Sequence, residues 1–116
     1  MKTIVFEVMP PAEAMARLQA EIAAGKFPKH AHRTFVSAES MARLLTPMRW
    51  TMLQAMTGAG PLGVRELARR LGRDVRATHA DATGLTKAGV VERTPAGKYL
   101  FPFDRVKVRF ELRKAA

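Results

Sequence analysis

The residues with the clearest chemical potential lie between positions 64 and 88. Val64, Leu67, Ala68 and Leu71 recur at i, i+3, i+4 and i+7, the tidiest helical period in the chain. Gly72 interrupts it, and Asp74 carries the short acceptor that suits an N-cap for a second helix running to residue 88. On a wheel of about 100° per residue, Val75, Thr78, Ala82 and Leu85 fall on the side that must face a core. Arg76, Ala77, Ala80, Asp81, Gly84 and Lys87 fall on the other, with Thr83 at its margin. That outer face is small as well as basic. Alanine methyls can meet thymine methyls, and Arg or Lys can bond guanine O6 and N7. A helix, a tight turn and a second helix are the spacing that delivers such a face into a major groove. We therefore expect base-edge contacts from Arg76, Ala77, Ala80, Thr83 and Lys87. Phosphate contacts are expected from Arg65, Arg69 and Arg73 around the start of the motif, and from Arg93 and Lys98 near a later turn. These would set affinity and orientation rather than sequence choice. For any single one of these cations, a solvated surface charge is the plain alternative.

The charge balance points the same way. The 116 residues suit one domain. Twenty Lys and Arg against ten Asp and Glu leave +10 at pH 7, an excess that implies nucleic acid, an acidic partner or an anionic surface. Residues 1–46 hold six cations and four acids, and residues 47–116 hold fourteen and six. Most of the excess is therefore in the part that contains the motif. The absence of Cys excludes disulfide scaffolds, thiolate metal sites and cysteine nucleophiles. The apolar runs fall far short of the roughly 18 residues of a membrane span. Residues 1–9 lack a signal-peptide core. A cytoplasmic protein without a membrane partner, joining the nucleoid when bound to DNA, is the expectation.

Catalysis finds little support. Glu39, Glu66, Asp74, Asp81, Glu92 and Asp104 are scattered; Asp74 is better read as a cap and Asp81 as the partner of a nearby Arg. No nucleophile elbow, phosphate loop or dinucleotide fingerprint occurs. His30-x-His32 hints at a metal, but it lies in a basic stretch without acidic or Cys neighbours. His79 reads as a packed or partly exposed structural residue. The expectation is no enzyme, no metal and no cofactor.

The remaining elements frame the motif. Residues 2–9 alternate, with Ile4, Phe6 and Val8 on one side and Thr3, Val5 and Glu7 on the other, which predicts a strand. Pro11 opens a helix over 12–24 with a narrow stripe of Met15, Leu18 and Ile22, and Gly25 closes it. Residues 26–37 show no period and read as a linker. Ser37 caps a helix over 38–45, and Thr46-Pro47 opens another that carries Trp50, Leu53 and Met56 inward. Residues 90–94 and 98–102 are β-rich around Pro95-Ala96-Gly97, a hairpin signal. Val106, Val108, Phe110 and Leu112 alternate with Lys107, Arg109 and Glu111 in a half-buried closing strand. The predicted class is α+β: a winged helix-turn-helix with an added N-terminal strand-helix and a C-terminal strand. Residues 1–36 would form a dimerisation element and residues 37–116 the DNA-binding domain. In the proposed homodimer the terminal strand, the first helix and the closing strand would meet across the two-fold axis.

The words RTFVSAESMARLLTPMRW, GPLGVRELARRLGRDV, AGVVER and GKYLFPFDRVKVRFEL resemble a family of prokaryotic MarR-like winged-helix proteins, described as DNA-binding proteins or antitoxins. The resemblance covers nearly the whole chain. Some similar members are encoded beside TumE-family toxins, which implies a protein that neutralises a partner toxin and represses their shared operon. Two departures fall on the expected reading face. The family usually has a larger polar or basic residue where His79-Ala80-Asp81 has Ala, and a residue other than Gly at 84, where Gly inside a helix costs about 1 kcal/mol relative to Ala. The alternative reading is an RNA-binding or protein-interaction module. Sequence-specific RNA modules usually offer aromatic platforms, and only Tyr99 and Phe101 stand outside the aromatics that read as core.

Overall fold

The computed structural model describes residues 1–112; residues 113–116 of the 37–116 stretch lie outside the described residues. Among the described residues the chain is mixed α+β, with five helices and two small sheets. Strand β1 (Thr3–Val8) is central in a three-stranded sheet, flanked by β2 (Ala31–Phe35) and β5 (Arg105–Arg109), and both pairings are parallel. Parallel sheets are stable when both faces are covered, and β1 is covered on both. Ile4 and Phe6 are buried toward the helices, as the alternation predicts. Thr3, Val5 and Glu7 are buried as well.

The polar side of β1 lies beneath α1 (Pro11–Ala24), whose Arg17 reaches Glu7 Oε1 at 2.6 Å. His32 of β2 meets the same oxygen through Nδ1 at 2.9 Å. Glu7 is thus 2 % exposed yet partnered twice, the condition under which a buried carboxylate is tolerated. Burial raises its pKa, but the hydrogen bonds and charges of Arg17 and His32 outweigh that and hold it below the ordinary value. The half-buried row of α1 is Ala14, Arg17 and Glu21, drawn toward this carboxylate. The apolar stripe Met15, Leu18 and Ile22 lies one residue on from it and is exposed.

The stretch expected as a linker contains β2. Its backbone pairs with β1 from Ala31 to Phe35, but only Phe35 is buried. A strand with one core residue shows no alternation, so its periodicity is silent. The predicted caps hold. Ser37 Oγ accepts from Ser40 N at 3.1 Å at the start of α2 (Ala38–Leu44). Thr46 Oγ1 accepts from Arg49 N at 3.3 Å at the start of α3 (Pro47–Met56). Then follow α4 (Val64–Leu71), α5 (Val75–Lys87) and a short antiparallel hairpin, β3 (Glu92–Arg93) with β4 (Tyr99–Leu100). Leu62 and Tyr99 exchange backbone hydrogen bonds of 2.8 Å each way, tying the segment before α4 to the hairpin.

Phe6 joins these parts. Its ring lies 6.2 Å from Phe35, 5.8 Å from Trp50 and 6.5 Å from Phe101. Leu53, Met56, Leu67, Ala82, Leu85 and Tyr99 belong to the same buried cluster. Ile4, Phe6 and Phe35 therefore share one core with α3, α5 and the hairpin, and β1 pairs with β5 as well as with β2. Tyr99 and Phe101, considered above as exposed platforms, are both buried. Val75, expected inward, is 43 % exposed at the first position of α5. Among the described residues no helix is long and apolar enough to cross a membrane. Phe6→Ala should lower stability by about 3–5 kcal/mol. Urea unfolding followed by the emission of Trp50, the chain's single tryptophan, measures this directly.

Candidate nucleic-acid interface

The turn between α4 and α5 depends on Gly72, which caps α4 in the left-handed region at φ 63°; most side chains would be strained there. Two residues later Asp74 Oδ1 accepts from Ala77 N at 2.6 Å and starts α5. Thr78, Ala82 and Leu85 then point into the core. Arg76, Ala80 and Lys87 are exposed, and Ala77 and Thr83 are half-buried. The five expected base-edge residues are thus on one helix, with Arg76, Ala80, Thr83 and Lys87 at i, i+4, i+7 and i+11 along its outer surface.

Asp81 and Gly84 do not belong to that surface. Both face α3. Asp81 Oδ1 accepts from Arg49 Nε at 3.0 Å, and its Oδ2 accepts from Arg73 Nη1 at 2.8 Å. Arg49 Nη1 also donates to the Leu44 carbonyl at 3.1 Å. One carboxylate therefore ties α5 to α3 and to the turn that precedes it. Burial raises the Asp81 pKa, but the hydrogen bonds of Arg73 and Arg49 and their charges outweigh this and hold it below the ordinary carboxylate value. The absence of a side chain at Gly84 serves this clamp: a Cβ there would overlap the Arg49 guanidinium, with Cζ at 2.9 Å. The glycine that reads as room for a groove is room for Arg49.

The expected phosphate ligands differ in their freedom. Arg73 is held by Asp81 and only about a fifth exposed, so its guanidinium is engaged within the protein. Arg69 and Arg70 both pair with Glu66, Arg70 through Nε at 3.0 Å. Such exposed pairs are weak, about 0.3–0.5 kcal/mol for i, i+4, and a phosphate can compete with them. Arg65 is exposed on α4. At the hairpin, Arg93 stacks its guanidinium 5.0 Å from the centroid of the buried Tyr99 ring, which limits its freedom. His79, on the exposed side of α5, meets the same ring edge-on at 6.5 Å. Lys98 is exposed beside the turn, where Gly97 adopts φ 81° and Lys98 N donates to Thr94 Oγ1 at 3.1 Å.

Arg49 and the Glu7–Arg17–His32 cluster are the residues that sequence reasoning missed. A lone acid inside an apolar alternating strand is a signal that could have flagged Glu7. The His30-x-His32 pair is divided, His32 being taken by Glu7.

Two outcomes test the clamp. Gly84→Ala should forfeit the gain of about 1 kcal/mol expected for Gly to Ala in a helix, and recover it in an Arg49→Ala background. A denaturant double-mutant cycle reads the difference. Asp81→Asn should destabilise by about 1–3 kcal/mol at pH 7. A carboxyl depressed in the folded state contributes stability above its unfolded pKa and loses it as pH falls through the folded value. The gap between wild type and Asp81→Asn should therefore close below about pH 4, in unfolding curves taken across pH.

No curated protein and no solved structure matches the chain. Residues 44–108, more than half of its length, match the HVO_A0114 family. The match runs from the end of α2 through the clamp, α5 and the hairpin into β5. On that match, the chain belongs to the HVO_A0114 family.

Proposed function

We propose that α3, α4, α5 and the β3–β4 hairpin form a winged helix-turn-helix, and that the protein is a sequence-specific regulator of transcription that binds double-stranded DNA. The observation that carries this reading is the outer row Arg76, Ala80, Thr83 and Lys87 on a capped helix, in a chain with ten more cations than acids. α5 would enter the major groove, which is about 12 Å wide and admits a helix. Arg76, Thr83 and Lys87 would reach base edges, and Ala77 and Ala80 would allow the backbone close. Arg93, stacked on Tyr99, and Lys98 would meet phosphate at the side. Burial of Tyr99 and Phe101 favours duplex DNA over single-stranded RNA, because it removes the aromatic platforms that unpaired bases stack on.

On this reading the protein would repress the genes whose upstream DNA it occupies. Two copies related by a two-fold axis would set their α5 helices about 34 Å apart on a palindromic site. Sedimentation that gave only monomer at micromolar concentration would remove the dimer from this reading.

The test is fluorescence anisotropy with the protein's own upstream DNA and a scrambled duplex across a salt series. A preference of about a thousandfold or more, with affinity falling steeply as salt rises, is expected. Equal affinity for the two duplexes would sink sequence-specific regulation. Arg76→Ala should relax the preference by about 1–3 kcal/mol, whereas Arg93→Ala should weaken both duplexes alike and reduce the salt slope by about one.

A further inference from the structure

Among the described residues β5 is an edge strand that pairs with β1 alone, so its other side offers backbone N–H and C=O groups to a further strand. Two rows of side chains run along it on opposite faces. Arg105, Lys107 and Arg109 form one row, and all three are exposed. Val106 and Val108 form the other, opposite Ile4 and Phe6 in register, and Phe110 follows just past the end of the strand. Val108 is 49 % and Phe110 52 % exposed. Beside them Trp50, Leu53 and Gln54 of α3 and Thr57 just past its end, with Asp104 and Arg105 at the start of the strand, complete a groove of about 400 Å³.

Cations on an edge strand often serve only to discourage aggregation. That role does not account for an uncovered apolar row on the opposite face. A second copy of the chain fits poorly. In antiparallel registers that pair the length of the strand, Lys107 stands opposite Arg105, Lys107 or Arg109, and like charges directly opposite are destabilising. A phosphate backbone would satisfy the cations but leave the edge and the groove unused. An extended segment with acids at alternate positions and apolar residues between them meets all three features at once.

We propose that the outer edge of β5 binds such a segment of a partner protein, with its acids over Arg105, Lys107 and Arg109 and its apolar side chains in the groove beside Trp50. This goes beyond the DNA reading and does not depend on it.

The test titrates the full-length ¹⁵N-labelled protein with two peptides, acetyl-(Glu-Val)₄-amide and acetyl-(Lys-Val)₄-amide. The acidic peptide should shift the backbone amides of residues 105–110 and the Trp50 indole N–H, and slow hydrogen exchange along β5; the basic peptide should not. Arg105→Glu with Lys107→Glu and Arg109→Glu should weaken the acidic peptide by about tenfold or more and admit the basic one. Should that variant fail to fold, Val108→Arg, which fills the groove and leaves the cationic row, should abolish the Trp50 shift. Equal effects of both peptides, or none, would overturn the proposal. So would a DNA duplex that shifts the β5 amides in their place, or self-association of the chain through β5.

Discussion

Asp81 sits on α5 and accepts hydrogen bonds from Arg49, thirty-two residues earlier on α3, and from Arg73 in the preceding turn. The orientation of α5 depends on this arrangement. Thr78, Ala82 and Leu85 set which side of the helix is apolar, but apolar packing is non-directional and tolerates rotation. A carboxylate held by two guanidiniums at 2.8 and 3.0 Å does not. Turning α5 by one residue, about 100°, would break both contacts. Gly84 completes the constraint by leaving the space that the Arg49 guanidinium fills. The outer row of Arg76, Ala80, Thr83 and Lys87 is what remains once the core and the clamp have taken their sides of the helix.

The same economy of charge shapes the sheet. β1 has both faces covered, but one cover is polar: Arg17 and His32 close over Glu7, and α1 contributes no buried residue of its own. The stripe Met15, Leu18 and Ile22 is left outside as a consequence. On the other side of β1, β5 is only half covered. Its apolar row faces α3 across an open groove, and its cations face solvent. The basic excess of the chain is therefore divided among engaged residues such as Arg49 and Arg73, loosely paired ones such as Arg69 and Arg70, and the exposed cations of α5, the hairpin and β5. The first group orders the structure, and the others remain available to partners.

Much of this was legible in the residues. Ser37, Thr46 and Asp74 are seen as caps because a cap bonds a backbone N–H three positions on, within the same short word. Gly72 and Gly97 mark turns because the left-handed region selects for glycine. The two helices of the motif follow from a period of 3.6 residues. β2 was not legible, since its pairing is made by backbone atoms common to every residue, and Phe35 is its only buried side chain. Glu7 was visible as an anomaly in an apolar strand, but its partners at positions 17 and 32 were not.

The sequence by itself determined the order and bounds of most helices, the tight turns, the hairpin and the basic character of the second half of the chain. These are set by local geometry and composition, which act over a few residues. Tertiary structure alone decided that Asp81 and Gly84 serve Arg49 rather than the outer face of α5. A helical wheel divides a helix into an inside and an outside, whereas α5 has neighbours on more than one side. It also decided that β1 lies between two parallel partners and that Tyr99 and Phe101 are buried. These outcomes depend on contacts between residues tens of positions apart, and neither periodicity nor propensity reaches that far.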